Sequence, residues 1–352
     1  MNESQRAFLD SLLEAPSPSG FELPAQRVWV DYVSQFADDV HTDAYGNAIA
    51  VYDGGDPELA FTGHADEIGF IVRTIDDNGF LRLDKIGGAD KTVSRGQHVT
   101  VHTADGPVSG VVGQAAIHLR DGDDEKVSEI TEQHVDIGAG DKDEAEELVE
   151  IGDAVTFSST VNDLHGTRLS ARGMDNRIGI WAAAEGLRQA TEAEVDATVY
   201  AVSTVMEEIG LQGAKMIAHD LNPDVAIAVD VTHATDSPDA PANKGGDISL
   251  GEGPVIARGS ANHPRVVALA RQAAGAASID VQLQAAGSFT GTDADAFFTT
   301  RGGIPSLNIG LPNRYMHTPV EVIDTNDLMA VSDLLGEIAA QAAEFGTFSV
   351  SL

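Results

Sequence analysis

Two hydrophobic textures alternate along the chain. Residues 24–37, 177–190, 262–277 and 325–345 carry apolar side chains three and four apart in stretches rich in Ala, Leu and Gln, the spacing of helices that bury one face. Between them lie short apolar runs that end in polar residues, at Leu59–Gly63, Thr198–Val205, Val225–Val229 and Ser306–Ile309. Short runs without polar alternation suit strands covered on both faces. Together these segments predict an α/β fold, a central mixed sheet flanked by helices. The opening residues, MNESQRAFLDSLLEAP, read as a further amphipathic helix. They lack the basic stretch and apolar core of a secretory leader, and no apolar run is long enough to span a bilayer, so the expected compartment is the cytoplasm.

From about Glu67 to His165 the texture changes to strand-like runs joined by turns. Gly69–Ile75 and Phe80–Ile86 flank Asp76-Asp77-Asn78-Gly79, and Val99–Thr103 and Pro107–Val112 flank Ala104-Asp105-Gly106. Each is a hairpin signature. One short acidic helix is expected near Asp143–Glu150. The simplest parse inserts a small β-barrel-like domain, residues 67–165, into a discontinuous α/β domain made of 1–66 and 166–352.

Charge and composition then narrow the chemistry. The 352 residues hold 21 basic and 56 acidic side chains, a formal charge of −35, with 42% hydrophobic residues. That much apolar material builds a core, so the charge does not signal disorder. A field this negative repels phosphate backbones and anionic lipid, which disfavours nucleic acid and membrane partners. Lysine is scarce, and acidic runs such as Asp121–Glu125 and Asp141–Glu150 are spread along the chain, a pattern that suits a surface adapted to molar salt. Cysteine is absent, so any metal must be held by His, Asp and Glu.

Several polar clusters fall where the predicted strands end, which is where open α/β sheets place their ligands. In Thr62-Gly63-His64-Ala65-Asp66-Glu67, His64 and Asp66 point to one side of an extended chain, so Asp66 can support the imidazole from behind. In Met206-Glu207-Glu208-Ile209-Gly210, paired glutamates at a strand mouth call for a positive partner; one can hold a metal while the other takes a proton from water. Asp230 closes a third predicted strand, and His317 lies in Arg314-Tyr315-Met316-His317-Thr318-Pro319 after a fourth. Asp175 precedes a helix expected to start near Asn176, where an ordinary N-cap also explains it. Two imidazoles and three carboxylates, with one glutamate to spare, suit two zinc or cobalt ions bridged by a carboxylate. Walker, dinucleotide and nucleophile-elbow motifs are absent from the sequence.

His64-Ala65-Asp66-Glu67-Ile68-Gly69, Met174-Asp175-Asn176-Arg177, Glu207-Glu208-Ile209-Gly210, Asp230 and Arg314 to Pro319 resemble, in order, the motif series of the tetrahedral aminopeptidases, metallopeptidase family forty-two of clan MH. Pro18-Ser19-Gly20-Phe21-Glu22, Val135-Asp136-Ile137-Gly138-Ala139 and Gly291-Thr292-Asp293-Ala294 resemble further stretches of it. The resemblance implies two divalent ions per subunit, zinc or cobalt with manganese as an option. His64 and Asp230 would complete one, Glu208 and His317 the other, with Asp175 bridging and Glu207 as general base. It also implies peptide substrates, subunits paired through the inserted domain, and a hollow tetrahedral dodecamer. Ala115-Ala116 before Ile117-His118-Leu119 departs from the usual proline-rich form of that stretch.

The expected activity is therefore removal of N-terminal residues from short peptides by activated water. A deacylase or amidohydrolase with the same centre, and a metal-stabilised assembly protein without catalysis, are the rival readings. His118, His134, His165, His233 and His263 are expected to be structural or surface groups, although His233 stands near enough to Asp230 to line the site.

Overall fold

The computed structural model describes residues 1–120, 127–238 and 240–350, so the acidic run at 121–125 lies outside the described residues. An eight-stranded sheet runs in the spatial order Asp39–Thr42, Ala48–Tyr52, Thr198–Thr204, Glu58–His64, Val225–His233, Ser306–Asn313, Val255–Arg258 and Gln282–Ala285. The four strands from Thr198–Thr204 to Ser306–Asn313 are parallel, and antiparallel pairs on either side make the sheet mixed. Their carboxyl ends therefore open on one edge.

Alternation along these strands assigns the two helical layers. Leu59, Phe61, Val199, Ala201, Ile227 and Val229 pack with helices Glu3–Glu14, Leu23–Val33, Met174–Glu192, Pro264–Ala277 and Thr325–Phe345. Ala60, Val202 and Ala226 face the opposite way, toward Gln212–Leu221 and Ala294–Phe298. Each fully buried leucine of this core, such as Leu335 or Leu187, stabilises the fold by about 1.5–3 kcal/mol. Helix Met174–Glu192 lies close to the sheet because two glycines meet. A Cβ on Gly63 would come within 2.5 Å of the Gly179 carbonyl carbon, so an alanine there would push the helix away. That contact carries Asp175, near the helix start, to the sheet edge where His64 ends its strand.

A second core belongs to a closed antiparallel barrel of six strands, in the order Gly69–Ile75, Leu81–Ile86, His134–Asp136, Gly106–Gly113, His98–Thr103 and Ala154–Phe157. Phe70, Val72, Leu83, Val99, Val101 and Val155 fill it. The Asp76 carboxylate caps the first hairpin by accepting from Asn78 and Phe80 N–H, while Gly79 takes φ +83°. A short helix, Lys142–Leu148, packs nearby, as its acidic sequence predicts.

The predicted helices and hairpins occur within a few residues of their expected bounds. Missing from the sequence reading are the hairpin Asp39–Thr42/Ala48–Tyr52, the helix Gln212–Leu221, the last two strands at one end of the sheet, Val255–Arg258 and Gln282–Ala285, and a three-stranded sheet of Asn162–Asp163, Arg168–Ala171 and Glu321–Asp324. Two local expectations are corrected. Strand Val225–His233 continues past Asp230, which therefore sits inside it. Asp175 is not an N-cap: Gly173 occupies that position, and Asp175 at ψ 101° and Asn176 at φ −130° break the helix before it becomes regular, so the carboxylate is free of the helix. No helix among the described residues is long and apolar enough to cross a membrane.

Candidate metal and catalytic site

Parallel register brings the sequence-predicted groups together. Ser203 pairs with Gly63 and Thr204 with His64, so Glu207 and Glu208 leave their strand beside the imidazole. Asp230 lies on the next strand over, and His317 follows the strand paired with it. One buried cluster results. His64 Nε2 stands 3.2 Å from Asp175 Oδ1, 3.7 Å from Glu207 Oε2 and 3.9 Å from Asp230 Oδ1. His317 Nε2 stands 3.2 Å from Asp175 Oδ2 and 3.2 Å from Glu208 Oε1. Asp175 thus offers one oxygen to each imidazole.

Burial sets the electrostatics. It pushes the Glu207 carboxyl up to about 10, against His64 and with the help of Asp230, Asp293 and Glu208. Burial likewise raises Glu208 and Asp230, the latter with help from Asp175 and Asp293. For Asp175 the same burial is outweighed by His317 and His64, which hold it below the usual carboxylate range. His317 is driven up to about 11 by hydrogen bonds to Asp175 and Glu208. Four carboxylates converge here with two imidazoles, and among the described residues lining the cavity there is no Lys or Arg. Carboxylates so placed need cations. The oxygen and imidazole donors form two sets within 4.8 Å, His64–Glu207–Asp230 and His64–Asp175–Glu208, so the chemistry of the cluster fits hard or borderline divalent ions. By distance alone Glu207 stands as near the His64 side as a ligand would.

The surrounding groups hold the cluster by backbone contacts. Asp66 is fully buried. Its Oδ1 accepts from Glu207 N–H at 2.9 Å, and its Oδ2 from Glu208 N–H at 3.1 Å and Ser19 Oγ at 2.6 Å. His64 Nδ1 lies 3.0 Å from the Asp66 carbonyl and 3.4 Å from its carboxylate. Burial opposes ionisation of Asp66, but His64, Ser19 and Glu207 N–H keep its pKa below the usual value. Met206 and His317 both take left-handed φ, +56° and +64°. Glu22 receives Met206 N–H at 3.1 Å, and Glu321 receives His317 N–H at 2.9 Å and Asp175 N–H at 3.3 Å. These bonds keep two unfavourable backbone conformations in place.

Glu321 was not found from sequence. It reads as an ordinary strand residue, and only its position behind both His317 and Asp175 reveals its work. Asp293 lies in a stretch singled out above, yet its place emerges only here: its Oδ2 accepts from Thr204 Oγ1 at 2.8 Å and burial pushes it up to about 6. Glu67, beside Asp66, turns away from the cluster to pair with the buried guanidiniums of Arg172 and Arg177. His233 does line the cavity, at an exposed strand end.

The family model described as M42 glutamyl aminopeptidase matches residues 46–334. The lysyl aminopeptidase of Pyrococcus furiosus is 35% identical over 326 residues, 91% of this chain and 92% of the relative. A TET aminopeptidase structure from a marine sediment archaeon, a member of the Thaumarchaeota, superposes with a TM-score of 0.92 at 30% identity, covering 98% of this chain and all of that one. The TET1 peptidase of Pyrococcus horikoshii, which can assemble into a tetrahedron or a large octahedral shell, superposes at 0.86 with 32% identity over 95% of this chain and 99% of its own. With a family match over most of its length and relatives of this similarity along nearly all of it, the chain belongs to the M42 family of metal-dependent aminopeptidases.

Proposed function

We propose that this aminopeptidase removes N-terminal residues from short peptides with two divalent ions per subunit, His64 and Asp230 completing one ligand set, Glu208 and His317 the other, and Asp175 shared. The observation that carries the reading is Asp175, whose two oxygens each stand 3.2 Å from a different imidazole. Zinc, cobalt or manganese bound there would acidify water and polarise the scissile carbonyl. The remaining work falls to the chain. Glu207 takes the proton of the attacking water on its carboxylate and returns it to the leaving amine. Burial beside Asp230, Asp293 and Glu208 raises the proton affinity of the Glu207 carboxylate, which suits it to accept the proton and pass it on. Asp66 fixes the peptide N–H groups of Glu207 and Glu208, which keeps base and ligand in register.

Residues 1–66 and 166–352 form the catalytic domain in this reading, and residues 67–165 the module that builds dimers and, from them, a tetrahedral dodecamer. Ile117 and Leu119, at the barrel, are 70% and 81% exposed, as an interface would leave them in an isolated subunit. The acidic excess is proposed as adaptation to molar salt. The test of the function is cleavage of aminoacyl anilides, compared with N-acylated amides, by purified protein stripped of metal and then given zinc, cobalt or manganese. Aminoacyl cleavage restored by metal supports an aminopeptidase. Cleavage only of the acylated amides would establish a deacylase, and cleavage of neither would leave a metal-stabilised scaffold.

A further inference from the structure

The cavity over the acidic cluster encloses about 440 Å³ and continues along the sheet away from the ligands. Resting on the peptidase reading, we propose that this extension receives the substrate's N-terminal side chain and selects uncharged ones, with Asn308 as the group that reads them.

Strand register fixes the floor. Ala257 pairs with Gln284, Ile256 with Ile309, and Asn308 with Ala228 two residues before Asp230. Gln284, Ala257 and Asn308 therefore cross three neighbouring strands on the sheet face that also presents Asp230 and Thr232, since residues two apart share a face. Segment 285–291, with Phe289 at its exposed tip, lies against the same cavity. The two amides of the floor differ in freedom. Gln284 is tied at both ends, its Oε1 accepting from Thr232 Oγ1 at 3.0 Å and its Nε2 donating to the Gly245 carbonyl at 2.8 Å. Asn308 is held by its backbone, whose N–H donates to Asn262 Oδ1 at 2.8 Å, while its own side-chain Oδ1 is buried without a hydrogen-bond partner. The residue is 5% exposed. A buried amide oxygen without a partner, on a residue that lines a cavity, calls for a donor that a ligand can supply once the side chain turns toward it.

Charge excludes the other classes. Among the described residues lining the cavity, the only carboxylates are the four of the cluster, and no Lys or Arg is present; His233 stands at the rim. A glutamyl or aspartyl side chain in the extension would be buried with no Lys or Arg to receive it. Lysyl or arginyl side chains would meet an alanine, a hydroxyl and two amides, and burial of a charge without a partner is disfavoured more than burial of a neutral chain. An aliphatic side chain finds Ala257, Val231 and Met316, and a glutaminyl amide can donate to Asn308 Oδ1.

The test is a panel of Leu, Met, Gln, Glu, Lys and Arg anilides with metal-loaded protein. Neutral substrates should exceed every charged one in kcat/KM by at least about tenfold, the scale of a single mismatched pocket group. Asn308→Asp, nearly identical in shape, should raise the Lys-to-Leu ratio by about tenfold or more, while Asn308→Ser should leave that ratio low. A charged best substrate overturns this inference and leaves the peptidase reading standing. So does an Asn308→Asp variant with full metal content and the original ranking. Cleavage of no member of the panel by metal-loaded protein overturns both.

Discussion

Asp66 is the point at which a single conservative change should disturb the site most. Two peptide N–H groups and one hydroxyl converge on its carboxylate, at 2.9, 3.1 and 2.6 Å, in a fully buried setting. Asp66→Asn keeps one carbonyl oxygen and turns the other acceptor into an NH₂ group. Either Glu207 N–H or Glu208 N–H then faces a donor. A buried donor without a partner costs about 1–3 kcal/mol, and loss of the ionic character of the surviving bond adds about 1. The sum of about 2–4 kcal/mol is a large part of a typical stability of about 5–15, yet the protein should still fold and melt several degrees lower. Function should suffer more than folding. The variant displaces the peptides that carry the proposed base and ligand, and it removes the negative charge 3.4 Å from His64 Nδ1. Loss of a group that orients metal ligands usually lowers activity or metal affinity by about 10–100-fold. The assay is kcat and KM at saturating metal, with a metal titration in parallel. A fall in kcat with KM nearly unchanged, together with weaker metal binding, is the expected signature. An Asp66→Asn protein with wild-type kcat, metal affinity and melting temperature would refute the positioning argument.

Three further outcomes follow from the same structure. Glu321→Gln should weaken metal binding about tenfold or more, measured by competition with a chelator, because one amide cannot accept from both His317 and Asp175 N–H; an unchanged affinity would remove Glu321 from the site's support. Burial works to raise the Glu67 pKa, but Arg172 and Arg177 bring it down to about 2 from 4.5, so its ion pairs stabilise the fold above about pH 4.5 and that stability fades as pH falls toward 2. Glu67→Gln should therefore destabilise at pH 7 by about 3–5 kcal/mol, leaving two buried guanidiniums uncompensated, and should flatten the acid limb of a stability-against-pH curve; an unaltered limb would assign acid unfolding to other groups. Finally, the unfolding midpoint should rise between about 0.1 and 3 M KCl as the Debye length shortens from about 10 Å to below 3 Å around a chain of charge −35. A flat or falling midpoint would reduce the acidity to ordinary solubility.

The sequence was most informative where hydrophobic period and motif agree. Long helices such as Thr325–Phe345 and the parallel strands are plain because burial on one or both faces leaves a pattern of many residues. The strands Val255–Arg258 and Gln282–Ala285 are four residues each, too short to establish a period. Asp175 illustrates a different limit. A helix start with a preceding Asp suggests a cap, and only the bent backbone at residues 175 and 176 frees that carboxylate to face two imidazoles. His64, Glu207, Glu208 and His317 were legible as one cluster from their place at or after strand ends, and Asp230, inside its strand, from the motif series. Glu321 was not, because its contribution lies in accepting two backbone N–H groups whose positions depend on the folded loop. Glu207 remains the residue whose neighbours and proposed role pull apart: it stands with His64 and Asp230 as a ligand would, while the mechanism asks it to carry a proton.

That division makes one measurement decisive. Glu207→Gln preserves size and burial but removes the basic carboxylate, so metal content by mass spectrometry and kcat on an aminoacyl anilide should be read on the same sample. Two ions per subunit should be retained and kcat lowered by at least about 10²-fold, the usual scale for removal of a general base. A variant that keeps its activity, or one that loses an ion along with it, would contradict the assignment of Glu207 as the base.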